Sequence, residues 1–106
     1  MIIIDISKDF SPTPGARNYS DGPDSGHEFY DKILRNSFIE AIEAKVKLKI
    51  ILDGTEGYAS SFLNEAFSLL GSEFGPDRVW NNLIIVSEEI PKYISKIKES
   101  VYEKRK

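Results

Sequence analysis

Two adjacent serines, Ser60 and Ser61, are the residues best suited to chemistry in this chain. Leu48, Ile50, Ile51 and Leu52 precede them as a short apolar run ended by Asp53-Gly54, the pattern of a strand covered on both faces. The turn Gly54-Thr55-Glu56-Gly57 follows, and then Phe62, Leu63, Ala66, Phe67 and Leu70 recur at helical spacing. Serine is a leading N-cap residue, so Ser60 or Ser61 is expected to cap that helix. Open α/β sheets bind ligands outside the carboxyl ends of their strands, and helix N-termini favour anions, including a phosphate carried on a serine. Two readings stay open. Both serines only cap, or Ser61 caps while Ser60 faces solvent.

Arg17 is the loop residue best suited to gripping an anion, because a guanidinium can donate two parallel hydrogen bonds to a phosphate or carboxylate. Its alternative role is to pin its own loop through Asp21 or Asp24. Asp5 and Asp53 fall near strand ends, where two carboxylates and added waters suit magnesium, but Asp before Gly is first a turn signal. His27 is the only histidine and lies in a helix's first turn, with no nucleophile placed beside it. Neither GxxxxGK[ST] nor GxGxxG occurs. No catalytic residue, metal or cofactor is therefore assigned.

These residues need elements to position them. The chain has 106 residues, 41% hydrophobic, with six Phe, five Tyr and a formal charge of −3. That suits one folded domain spanning 1–106 and gives no footing for direct nucleic-acid binding. The C-terminal Lys104, Arg105 and Lys106 read as a solvated helix end suited to the helix dipole. Cysteine is absent, the N-terminus lacks the basic residues of a signal peptide, and no apolar run can span a bilayer, so a cytoplasmic, non-membrane protein is expected.

A first strand is predicted over 2–6, then a polar loop over 11–25. At about fifteen residues that loop is long for a compact domain. It offers room for an extra strand, which its sequence does not show. Ser25-Gly26-His27-Glu28 is a capping box opening the first helix, with Phe29, Ile33, Leu34, Phe38, Ala41 and Ile42 as its stripe and an end near Ala44. Lys45, Lys47 and Lys49 give the start of the second strand one wet face. The second helix is predicted over 61–72, with Gly71 and Gly75 as stops. One helical turn over 76–80 follows, with Trp80 at the edge of the core. A third strand is predicted over 83–86, and a third helix is capped by Ser87, with Glu88 and Glu89 in its first turn and Ile90, Ile94, Ile97 and Val101 inward. The β-α-β-α-β-α order predicts an α/β fold with a mainly parallel sheet.

Three segments carry a resemblance: FSPTPGARNYSDGPDSGHEFYDKIL, LDGTEGYASSFLNEAF and NLIIVSEEIPKYISKIKESV. Phe10, Pro14, Gly15 and Arg17, then Gly22, Pro23, Ser25, Gly26 and Phe29, then Leu52 through Phe67 match the motifs of a bacterial STAS-like family of unknown function. The chain resembles that family over nearly its whole length. The resemblance implies the fold shared by sulfate-transporter tails and anti-sigma-factor antagonists. In the antagonists a serine at a helix start, in an Asp-Ser-Ser-Gly setting, is phosphorylated by a histidine-kinase-like ATPase. Ala59-Ser60-Ser61-Phe62 is the corresponding segment, making Ser60 the candidate phospho-acceptor, with Ala59 and Phe62 where the antagonists carry Asp and Gly. The long loop with Arg17 is not a feature of ordinary antagonists.

The expectation is a non-enzymatic regulatory module that docks a partner ATPase or transcription regulator through the helix starting at Ser60-Ser61. The alternative is a sensor of a small, nucleotide-like anion using Arg17 and the same helix end. A hydrolase or transferase ranks last. The candidate binding set is Arg17, Asp53, Gly57, Tyr58, Ser60 and Ser61.

Overall fold

β1 (Ile2–Asp5), β2 (Leu48–Ile51) and β3 (Leu83–Val86) pair in that order, all parallel, in the computed structural model, which describes residues 1–105. Alternation sorts their side chains. The rows Ile2–Leu48–Leu83 and Ile4–Ile50–Ile85 face the helices, and Ile4, Leu48 and Ile50 are buried in the core. The rows between them, Ile3–Lys49–Ile84 and Asp5–Ile51–Val86, hold partly exposed side chains. The expected strand covered on both faces is thus corrected: even the central strand is buried on one face only. Topology explains this. Two right-handed crossovers that step the same way across a sheet leave their helices on the same side.

Asp5 ends β1 one residue before the predicted end. Its carboxylate accepts from the Lys8 amide at 3.3 Å, which starts a single turn, α1 (Ile6–Asp9), and Ile6 drops into the core. The following loop contains a 3₁₀ turn, Tyr19–Asp21, and no strand among the described residues. The predicted first helix is three pieces end to end: α2 (Gly26–Phe29), a π turn over Tyr30–Leu34, and α3 (Arg35–Ala44). Phe29, Tyr30 and Leu34 are buried through this wider winding, while Ile33 is only half-buried. Ser25 caps the helix, accepting from the Glu28 amide at 3.1 Å, but Glu28 returns its bond to the Asp24 amide at 3.2 Å and not to Ser25. Tyr30 and Arg35 both donate to Glu73, with Arg35 Nε 2.8 Å from Oε2, tying the π turn to the next crossover. Arg35 first, then the Tyr30 hydroxyl, hold the Glu73 carboxyl below its ordinary range.

α4 (Ser60–Phe74) is longer than predicted because Gly71 does not stop it. A Cβ at Gly71 would run into the Val101 carbonyl of α6 (Lys92–Tyr102), and one at Gly26 would run into the Phe62 carbonyl of α4. Both glycines serve close approach between helices. Gly75, at φ 93°, ends α4, and Pro76 opens α5 (Pro76–Asn81). Trp80 is half-buried against the core, with the Lys98 ammonium 5.7 Å from its ring.

The third predicted helix starts late. Residues 87–91 form a turn in which the Ser87 hydroxyl donates to the Ile90 carbonyl at 2.6 Å, and the helix begins only at Lys92. It ends at Tyr102, so Lys104 and Arg105 lie beyond it and not in its last turn; Lys106 lies outside the described residues. Among the described residues, no helix is long and apolar enough to cross a membrane.

Gly71→Ala is expected to cost about 1–3 kcal/mol by overpacking the α4–α6 contact. Ser72→Ala, on the exposed side of the same turn, should stay within about 0.5 kcal/mol. Urea unfolding of the two variants checks both values.

Candidate functional site

The start of α4 departs from the expected cap. Ala59, at φ −66° and ψ 142°, is the N-cap residue, and its carbonyl accepts from the Phe62 amide at 3.0 Å. Ser60 and Ser61 are the first two residues of the helix, and neither caps it. Among the described residues their hydroxyls and amides have no hydrogen-bond partner, and Ser60 is exposed. The positive end of the helix dipole therefore opens to solvent beside a free hydroxyl.

Long-range bonds set where α4 begins. The Tyr58 hydroxyl donates to the Leu52 carbonyl at 2.8 Å, and the Tyr58 amide donates to the Tyr93 hydroxyl at 3.1 Å. Burial pushes the Tyr58 phenol well above its ordinary pKa, so it stays a donor. Gly57, at φ 120°, donates to Thr55 Oγ1 at 3.2 Å and turns the chain toward the helix. Phe62 is fully buried against Phe10, Phe29 and Tyr58, with ring centroids 6.2, 5.8 and 5.6 Å away. The position where antagonists carry glycine is here an aromatic anchor of the core.

Asp53 holds a different structure together. Its two carboxylate oxygens accept from the Glu88 and Glu89 amides at 3.0 and 2.9 Å, while Glu89 Oε1 accepts from the Gly54 amide at 2.9 Å. Those two amides are drawn into a turn and withheld from a helix, which corrects the predicted capping by Ser87. With one oxygen of Asp5 starting α1, the two aspartates stand as turn formers. Among the described residues no group of three or more His, Cys, Asp or Glu side chains suits a metal.

Arg17 binds neither Asp21 nor Asp24. Its Nη1 donates to Asn64 Oδ1 at 2.9 Å and to Glu65 Oε1 at 3.1 Å. Glu65 is only 4% exposed, yet it also meets Arg105 Nη1 at 3.3 Å and His27 Nδ1 at 3.6 Å. This buried carboxylate joins the long loop, α2 and the segment after α6 to the middle of α4. Sequence reasoning passed over it. Its signal was an acid three residues after Phe62 and directly before Ala66, two positions of the apolar stripe.

The site residues fall along three clefts. Tyr58, Ser60, Leu63, Tyr93, Lys92 and Lys96 line one of about 430 Å³ between α4 and α6. Arg17, Ser60, Ser61, Lys96, Glu99 and Glu103 line a second of about 330 Å³. Asp53, Gly57 and Tyr58 line a third of about 230 Å³. Ser60 is the ridge between the first two, and Tyr58 joins the first to the third.

A family model described as a STAS-like domain of unknown function (DUF4325) matches residues 25–91, well over half of the chain. The chain belongs to this STAS-like family. The matched part of the STAS-like domain runs from the Ser25 cap through β3 and includes the whole Ser60 end, while Arg17 and its loop precede it. Comparisons with curated proteins and with solved structures gave no match.

Glu65→Ala is expected to destabilise the domain by about 1–3 kcal/mol, the cost of stripping partners from a buried polar cluster. Amide hydrogen exchange should quicken at Gly26 and His27, which donate to the Ala16 and Arg17 carbonyls. Unchanged exchange at those amides would contradict a tethering role for Glu65.

Proposed function

We propose that this STAS-like domain is a non-enzymatic regulatory module of the cytoplasm. It docks a partner protein, a histidine-kinase-like ATPase or a transcription regulator, through the start of α4, and Ser60 is its phospho-acceptor. The observation that carries this reading is the free, exposed Ser60 hydroxyl at the first position of α4, on the ridge between two clefts. A phosphate there adds about two negative charges and three acceptors, beside open helix amides and near Lys92 and Lys96. Such a charge remakes the docking surface without touching the core. His27, the one histidine, lies beside Glu65 and Asp31, 3.6 Å from each, and lines neither of the clefts that meet at Ser60.

A sensor of a nucleotide-like anion is the second reading. It is favoured by the cleft that brings Arg17, Ser60, Ser61 and Lys96 together. Weighing against it, Glu99 and Glu103 line the same cleft, and Arg17 is already committed to Glu65 and Asn64.

Ser60→Glu is expected to change affinity for the partner about tenfold or more, a shift of roughly 1.4 kcal/mol, while the melting temperature stays nearly constant. Ser60→Ala should bind like the unmodified chain. Equal affinity of all three forms by calorimetry would rule out a switch at this residue. For the sensor, a panel of nucleoside phosphates should raise the melting temperature by binding the native state, and Arg17→Ala should abolish that rise. No rise with any of them counts against the second reading.

A further inference from the structure

The sheet face turned away from the helices has a use that the Ser60 end does not supply. Ile3, Ile51, Ile84 and Val86 lie on it, and none of them joins the buried core. Ile3 is 55% exposed, and Met1, one pleat before it, is 65% exposed. Parallel strands carry apolar side chains on both faces because both are ordinarily covered. Here the crossover topology supplies cover for one face only.

The charges on the bare face indicate what covers it. Lys49 stands at the centre of the row Ile3–Lys49–Ile84, and Asp5 stands at the β1 edge of the next row, Asp5–Ile51–Val86. Lys49 makes no ion pair among the described residues. Asp5 uses one carboxylate oxygen to accept from the Lys8 amide. Within these two rows the face therefore offers one unpaired cation and one carboxylate with an oxygen to spare, one row and one strand apart. Lys47, two residues before Lys49 and level with Met1, adds a second unpaired cation among the described residues where β2 begins.

We propose that a second copy of this chain covers this face, its sheet packed antiparallel on the first about a two-fold axis running across the strands. That axis lays each Ile3–Lys49–Ile84 row over the other copy's Asp5–Ile51–Val86 row. Ile84 meets Val86, and Lys49 comes over Ile51 with Asp5 at its side. Each contact occurs twice, as an isologous interface requires. The other two-fold axis in the interface plane, along the strands, would stack Lys49 on Lys49 and bury like charges. A foreign partner would have to bring its own anion for Lys49, whereas a second copy already carries one in register. The size of the face sets the strength. Three strands about 4.8 Å apart and four residues of about 3.3 Å each make a patch of roughly 14 by 13 Å. That is far below the roughly 800 Å² per partner of a standard interface, so the dimer is a weak one.

Sedimentation velocity of the full chain, from about 10 μM to about 1 mM, tests this, since that range brackets a weak dissociation constant. The weight-average mass should climb from the 12.0 kDa of one chain toward twice that value. Ile3→Glu, at an exposed position, should hold the mass at one chain with an unchanged melting temperature. Lys49→Glu, which sets an anion against Asp5, should weaken association about tenfold or more. A chain that stays monomeric at about 1 mM overturns the proposal and leaves the face to another protein's amphipathic helix. A dimer indifferent to both substitutions overturns it too, because the contact then lies elsewhere.

Discussion

Backbone-to-backbone contact at two glycines governs this domain. Gly26 lets α2 lie against the first turn of α4, and Gly71 lets α6 cross its last turns. α4 is thereby clamped at both ends inside a single helical layer, with Phe62, Leu63, Ala66, Phe67 and Leu70 fully buried beneath it. Few other placements are open to it. Its start is fixed by Tyr58, which is bonded to the end of β2 on one side and to α6 on the other. A rigid base of this kind suits the proposed docking role, in which a surface change at Ser60 alters recognition while the core stays as it is.

Glu65 is the polar counterpart of that clamp. A buried carboxylate is tolerated only when cations and donors surround it. Arg17, Arg105 and His27 do so from three separate parts of the chain. The same cluster consumes the arginine that looked best suited to a ligand. Arg17 still lines a cleft with Ser60, but as a residue held by α4 and not as a free hook. Its loop precedes the span matched by the family, whereas His27 and Glu65 lie within it.

Much of this was legible beforehand, and the exceptions have physical reasons. β3 was bounded correctly because an apolar β-branched run between polar turns admits little else. The parallel order followed from strands separated by helices, and the motifs running from the Ser25 cap to Phe67 carried the family. Local rules failed where distant groups intervene. Glu88 and Glu89 sit in a good N-terminal pattern, yet Asp53 takes their amides from across the sheet's end. Serine is a better cap than alanine, yet the bonds of Tyr58 start α4 one residue early, so Ala59 caps and both serines stay free. Gly71 reads as a stop until Val101 is known to lie against it. An apolar run such as Leu48–Ile51 cannot reveal that one side lacks helices, because that depends on the direction of both crossovers.

A buried, tethered α4 carries an exposed serine at its start, and the proposed function makes Ser60 the regulated position. Peptide mass spectrometry of the tagged chain recovered from its native host tests this most directly. Phosphate on Ser60 is expected in a fraction of the molecules, with an ATPase or transcription regulator recovered alongside. A chain recovered under all growth conditions with Ser60 unmodified and no specific companion would contradict it.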